Sequence, residues 1–277
     1  VRDFVEKSDC LVVLGEIFTD LSLNCTPNKM KKVTVSCTVG GLKVKNHQYA
    51  DVHFQDFCKA LFKADLTPKK FPKFGYEPVE EQQFVMNPKS RIRTARFFDK
   101  VNSILTEDNI ILADVGDSLF GASDLICHHK DTFLGSAFYT SMGTAIPGAL
   151  GVQLAKPNMR PIVLVGDGAF QMSISELSVI ASRGLNPIIF VLNNHGYSTE
   201  RCLADGAFND IRNWNYHKAV EVIGGGTGFH VTTEEELESA VNQAMGSREL
   251  TLINVDVDEG DISASLKRMA ATHAKRI

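Results

Sequence analysis

The 277-residue sequence predicts an α/β fold, a parallel sheet with helices on both faces, preceded by part of a second α/β domain. Three observations predict it. Short runs that are apolar throughout, such as 161–165 (PIVLV) and 187–192 (PIIFVL), have the length and composition of strands buried on both faces. Stretches of helical periodicity alternate with them, as crossover connections between parallel strands require. Between 66 and 88 lie four of the nine prolines, among lysines and glutamates, so an extended linker divides the chain.

The elements follow in order. Residues 1–7 read as a helix, 10–15 (CLVVLG) as a buried strand and 32–37 (KVTVSC) as an alternating one. Residues 52–62 read as an amphipathic helix with Phe54, Phe57, Cys58, Leu61 and Phe62 on one face. This βαβ-like material, 1–65, is too short for a comfortable independent domain, and 66–88 is the linker. From 89 to 277 the alternation is regular. Helices are expected at 94–105, 143–154, 173–182, 232–245 and 262–275, and strands at 109–114, 161–165, 187–192 and 250–257. Thr233 with Glu236 three residues on is a capping box for the helix it opens.

Bulk composition narrows the function classes. A formal net charge of −4 offers no basic field for nucleic acid, and no apolar run approaches the roughly 20 residues of a membrane span. Six scattered cysteines without zinc or CxxC spacing argue against a disulfide framework and point to a reducing, cytoplasmic setting. The first residue, Val1, opens in mid-domain without a charged-then-apolar leader, which reads as a fragment or processed product.

The chemistry concentrates in 165–200, VGDGAFQMSISELSVIASRGLNPIIFVLNNHGYSTE, which reads as one βαβ unit. Its first strand ends at Gly166-Asp167-Gly168, its helix is capped by Gly184, and its second strand ends at Asn193-Asn194. A right-handed crossover brings both strand ends to one edge of the sheet, Asp167 beside Asn194. A carboxylate, an amide oxygen and the carbonyl of Gly196 are hard ligands suited to Mg²⁺, which fills its other positions with phosphate oxygens and water. The helix N-terminus after Gly168 adds N–H donors for phosphate. The pattern predicts a Mg²⁺-bridged diphosphate. Either motif alone is more often a tight turn or a strand-end cap.

On these residues the chain resembles the thiamine diphosphate-dependent 2-oxo acid decarboxylases, in the pyruvate, indolepyruvate and phenylpyruvate branch. The resemblance runs from about residue 85 to the end, and more weakly back to residue 1. It implies Asp167, Asn194 and the Gly196 carbonyl as Mg²⁺ ligands, with Gly168, Ala169, Tyr197, Ser198 and Thr199 against the diphosphate. It further implies Thr140, whose carbonyl would meet the aminopyrimidine, and Met142, which would prop the cofactor in its bent form. Thr140 stands where the family usually has Gly. Asp117, in the turn GDSLF, stands where several relatives carry Thr. Glu200 would assist decarboxylation and product protonation, a role for which it should be shielded from water.

The same resemblance implies an N-terminal pyrimidine-binding domain, supplied by the parent chain or a partner subunit, carrying the glutamate that activates the cofactor. A homodimer or tetramer is the expected assembly, and the chain alone is expected to be inactive. A 2-oxo acid is the implied substrate, with 207–210 (AFND) leaning toward an aromatic one. Two other readings stand beside this one: a carboligase of the acetolactate synthase type, and a cofactor-binding remnant without catalysis. Cys127-His128-His129 reads as surface loop, and Gly224–Gly228 leads into a strand and not a helix, which argues against a dinucleotide loop.

Overall fold

The computed structural model describes residues 8–16, 33–66 and 84–273. The expected helix at 1–7 and most of the Pro-rich linker lie outside them. The chain divides into two compact units, Val1–Pro78 and Val79–Ile277.

In the first unit, β1 (Leu11–Leu14) pairs in parallel with β2 (Val33–Thr38). β2 then continues antiparallel into β3 (Gly41–Val44) and β4 (His47–Tyr49), giving the order β1-β2-β3-β4. This corrects the expected two-strand βαβ-like segment. The missed hairpin, GLKVKNHQY, is short and mostly polar, and its one apolar alternation, Leu42-Lys43-Val44, spans only three residues. Helix α1 (Phe54–Lys63) forms where periodicity placed it. Phe57, Cys58 and Leu61 are half-buried, but Phe62 is 89% exposed, so it does not share their packing face.

The second unit is a six-stranded sheet, all parallel, in the order β6-β5-β7-β8-β10-β9. Its strands are β5 (Asn109–Ala113), β6 (Phe133–Gly135), β7 (Arg160–Gly166), β8 (Ile188–Asn193), β9 (Thr227–Val231) and β10 (Thr251–Asp256). Alternate strand residues feed separate cores, as the two-residue pleat demands. Ile162, Leu164, Ile188, Phe190 and Leu192 pack on one face with Phe97 and Val101 of α2 (Thr94–Ile104) and with Leu237 and Val241 of α9 (Glu234–Gly246). On the other face Val163, Val165, Ile189 and Val191 meet α4 (Ala145–Ala155), α5 (Asp167–Ser173), α6 (Glu176–Ser182) and α8 (Ala219–Ile223). Each fully buried side chain of this kind contributes roughly 1.5–3 kcal/mol.

The remaining helices are α3 (Asp117–Ala122), α7 (Ser198–Arg201) and α10 (Ala264–His273). The capping box at Thr233 and Glu236 is present in full. Gly184 takes φ +63° after the Arg183 cap, as the end of α6 requires.

Helix α3 stands where GDSLF was expected to be a turn, α8 was not expected, and α5 starts earlier than expected. The segment expected to turn helical at 173 does so already at Asp167, and tightens at Ile174 and Ser175 through i→i+3 bonds to Leu177 and Ser178. Asp167 and Gly168 therefore belong to the first turn of α5.

Candidate functional site

The chain leaves β5 toward β6 on one side, while β7 and β8 extend the sheet on the other. The carboxyl ends of β5 and β7 thus flank a topological switch point, where parallel α/β sheets form crevices. A cleft opens there. It is lined by four chain segments: 115–118 after β5, Met142 before α4, 166–169 after β7 and the turn from Asn194 to Glu200 after β8.

Asp167 ties two of those segments together. Its Oδ1 accepts the Gly168 N–H at 2.7 Å and its Oδ2 the Gly196 N–H at 3.0 Å. The side chain is buried, and burial pushes its carboxyl up to about 6, against the downward pull of those two N–H groups. A divalent cation beside it would supply the missing positive charge. Among the described residues no three His, Cys, Asp or Glu side chains cluster as a metal site. A cation here would have one carboxylate, the buried Asn194 amide and backbone oxygen, leaving room for ligand oxygens.

The turn after β8 is strained to make this approach. His195 adopts φ +62°, uncommon for a residue with a side chain, and Gly196 adopts φ +145°. A Cβ on Gly196 would collide with the Asn209 carbonyl. That carbonyl accepts the Tyr197 N–H at 3.0 Å, pinning the turn from outside. The His195 ring is flanked by Asp256, with Nε2 at 3.7 Å from Oδ2, and by the Asn213 amide at 3.3 Å from Nδ1. Nothing in the local sequence signalled these supports.

The cleft carries unpartnered polar atoms. The hydroxyls of Ser118, Ser198 and Thr199 and the Oδ1 of Asp117 are buried without a hydrogen-bond partner. Such atoms cost roughly 1–3 kcal/mol each unless a ligand satisfies them. The other Asp117 oxygen accepts the Ser263 N–H at 2.9 Å, and burial holds this carboxyl above the usual range. A Cβ added to Gly166 would meet open space, whereas one on Gly168 would sit 2.6 Å from the Tyr197 ring. The second glycine of GDG thus serves side-chain packing, and the first leaves the cleft open. Three hydroxyl donors beside the cation-seeking Asp167 carboxylate fit a diphosphate with its metal.

Asp117, Met142, Asp167, Gly168, Ala169, Asn194, Gly196, Tyr197, Ser198, Thr199 and Glu200 all line this one cleft. Thr140 does not; it lies two residues before Met142 at φ +58°. Glu200 is in the first turn of α7 as expected, but it is exposed, so this chain alone does not give it the shielding expected of it. Ser118 and Asp114 were missed. Asp114 is fully buried at the end of β5, accepting N–H bonds from Val115, Gly143 and Ala145 at 2.9, 2.9 and 2.8 Å. Its donors lie up to 31 residues away, so no local pattern marks it. Cys127, His128 and His129 are exposed, and Gly224 caps α8 at φ +73° ahead of β9.

Residues 114–255, from Asp114 to β10, match the family model described as "Thiamine pyrophosphate enzyme, C-terminal TPP binding domain". The chain belongs to the thiamine pyrophosphate enzymes. The cleft lies within the matched stretch, so it is the family's cofactor-binding domain that carries it. Among relatives of this thiamine pyrophosphate enzyme is a probable pyruvate decarboxylase of Schizosaccharomyces pombe, 30% identical over 274 residues, covering 96% of this chain and 48% of that protein. An alpha-keto-acid decarboxylase of Mycobacterium avium is 30% identical over 251 residues, 88% of this chain and 44% of its own length. One of the same description from Mycobacterium tuberculosis is 33% identical over 182 residues, 64% and 32% respectively. The chain spans about half the length of the first two. No helix among the described residues is long and apolar enough to cross a membrane.

Proposed function

We propose that this chain supplies the Mg²⁺ and diphosphate half of the site in a thiamine diphosphate-dependent 2-oxo acid decarboxylase. The observation that carries the reading is the convergence of Asp167, Asn194 and Gly196 on one cleft with the unpartnered hydroxyls of Ser118, Ser198 and Thr199. Asp167, the Asn194 amide oxygen and the Gly196 carbonyl hold the metal. Gly168, Ala169, Tyr197, Ser198 and Thr199 lie against the diphosphate, Asp117 closes the β5 side, and Met142 offers apolar surface to the rest of the cofactor.

Bound thiamine diphosphate supplies the electron sink that lets a 2-oxo acid lose CO₂ and leave as an aldehyde. Glu200, at the mouth of the cleft, handles protons for that reaction. The names of the relatives, pyruvate decarboxylase and alpha-keto-acid decarboxylase, support a 2-oxo acid substrate, pyruvate-like or, as 207–210 leans, indolepyruvate-like or phenylpyruvate-like.

In this reading residues 1–65 are the latter part of a middle domain, 66–88 the linker and 89–277 the diphosphate and metal domain. A pyrimidine-binding domain from the same parent chain or a partner subunit completes the site, in a dimer or tetramer working in the cytoplasm. Leu134, Phe138 and Tyr139, exposed on the segment leading to Thr140 and Met142, support a partner covering that face.

Calorimetric titration of thiamine diphosphate into the complete protein, with and without Mg²⁺ and beside Asp167→Ala, tests the reading. Metal-dependent binding that Asp167→Ala abolishes is expected. Binding that needs no metal, or that survives the substitution, would overturn it.

A further inference from the structure

We propose that Asp114 is a positioning residue that sets Met142 against the ring portion of the cofactor, an inference that rests on the functional reading above. Met142 is the one long, flexible apolar side chain in the cleft lining, and it is half-buried against the second core. What fixes it is not its own helix. Helix α4 begins at Ala145, and its N-cap, Thr144, makes no side-chain capping bond. The cap comes instead from the neighbouring strand. Asp114 Oδ1 accepts the Gly143 N–H at 2.9 Å and Oδ2 accepts the Ala145 N–H at 2.8 Å, so one carboxylate grips both sides of Thr144. Asp114 is itself anchored, its N–H donating to the Leu164 carbonyl of β7 at 2.8 Å.

The grip is directional. Both carboxylate oxygens are committed to backbone donors, Oδ1 to the Val115 N–H as well, and the bonds are charge-assisted. An asparagine offers one acceptor and turns an NH₂ toward a backbone N–H. Gly143, immediately after Met142, has φ +78°, and a Cβ there would lie 3.0 Å from Met172 Cβ, so the backbone at this point has little room to shift. A change at Asp114 would therefore be felt at Met142 while leaving the Asp167–Gly196 bond on the other side of the cleft in place.

That separation gives the test. Inorganic pyrophosphate with Mg²⁺ reports the metal and diphosphate contacts, those of 115–118 included, and thiamine diphosphate with Mg²⁺ reports the ring side as well. Both are titrated calorimetrically into the complete protein as wild type, Asp114→Asn, Met142→Ala and the double variant. Asp114→Asn is expected to weaken thiamine diphosphate by about tenfold or more while shifting pyrophosphate by less than about twofold, the scale seen when a supporting partner is lost. Met142→Ala should reproduce that split, and the double variant should bind no more weakly than Met142→Ala. If Asp114→Asn does not fold, Asp114→Glu, which keeps both oxygens on a longer stem, should give the same split.

Unchanged thiamine diphosphate affinity, equal losses for both ligands, or additive losses in the double variant would each overturn the positioning role. A wild-type protein that binds neither ligand would overturn the functional reading itself, and is distinguishable because it needs no variant.

Discussion

Asp167 and Gly196, 29 residues apart in sequence, are joined by a 3.0 Å hydrogen bond from the Gly196 N–H to the Asp167 carboxylate. The bond locks the turn after β7 to the turn after β8. It also spends one lone pair of a carboxylate that burial is already pushing toward neutrality. The site is therefore shaped before any ligand arrives but lacks positive charge, and a metal ion would correct that deficit.

Asp167→Asn tests this arrangement with little change of shape. The amide keeps one acceptor for Gly168 or Gly196 and presents an N–H to the other. Mg²⁺-dependent thiamine diphosphate affinity should fall by about a hundredfold or more, on the order of 2.7 kcal/mol. Calorimetry reads the affinity. A thermal melt of the ligand-free protein should show no matching loss, because the variant also removes a charge that burial disfavours.

Thr140→Gly should stabilise the protein. Thr140 is β-branched and sits at φ +58°, where a side chain crowds the following carbonyl. Relief of that crowding is worth about 1–2 kcal/mol, and the added freedom of glycine in the unfolded chain gives part of it back. A net gain of about 0.5–1 kcal/mol by denaturant or thermal unfolding is the expected outcome. A loss would mean that the hydroxyl, which donates to the Tyr139 carbonyl at 2.7 Å, matters more than the backbone strain.

The four inner strands of the large sheet, β5, β7, β8 and β10, were legible because residues buried on both faces are mostly apolar, as 161–165 and 187–192 are throughout, whereas the three-residue edge strand β6 was not expected. The core of the site was legible for a related reason: Gly166-Asp167-Gly168 and Asn194 through Gly196 are sequence-local, and parallel topology dictates that they meet. What escaped was non-local or conditional on surroundings. Asp114 acts through Gly143 and Ala145 in another segment, and the mostly polar hairpin at β3 and β4 had only the brief alternation Leu42-Lys43-Val44 to betray it. Phe62 shows that helical spacing assigns a face only approximately. The exposure of Glu200 depends on what covers the cleft mouth, which no residue of 165–200 encodes.

Acid should weaken the fold through Glu234. Its carboxylate is buried and holds Arg96 by two bonds of 2.8 and 2.9 Å while accepting the Asn87 N–H at 2.8 Å. The hydrogen bond to Arg96 is the main reason its carboxyl lies below the ordinary 4.5. A depressed value means that the folded state favours the ionised form. The resulting stability is present above pH 4.5 and is lost as pH falls through the lower folded value. Glu234→Gln should cost about 1–3 kcal/mol at neutral pH, and wild type and variant should converge in strong acid. Urea unfolding across that range checks it, and a gap that persists in acid would exclude charge as the cause.

Gly168→Ala separates the two uses of glycine in the GDG turn. The new Cβ would stand 2.6 Å from the Tyr197 ring, closer than carbon atoms tolerate, so the ring must move. Tyr197 is tied at its backbone to Asn209, so the displacement falls on the side chain and on the cleft wall it forms with Ser198 and Thr199. Overpacking of this kind costs about 1–3 kcal/mol of stability. Diphosphate affinity should fall with it, because the displaced wall carries two of the hydroxyls that lack partners. Gly166→Ala is the control: its Cβ meets nothing within 4 Å, so stability should hold, and any loss of binding would come from methyl volume inside the cleft. If both variants lost stability equally, the open space beside Gly166 would be the point in error. If neither lost affinity, the diphosphate would have to lie elsewhere than against the first turn of α5.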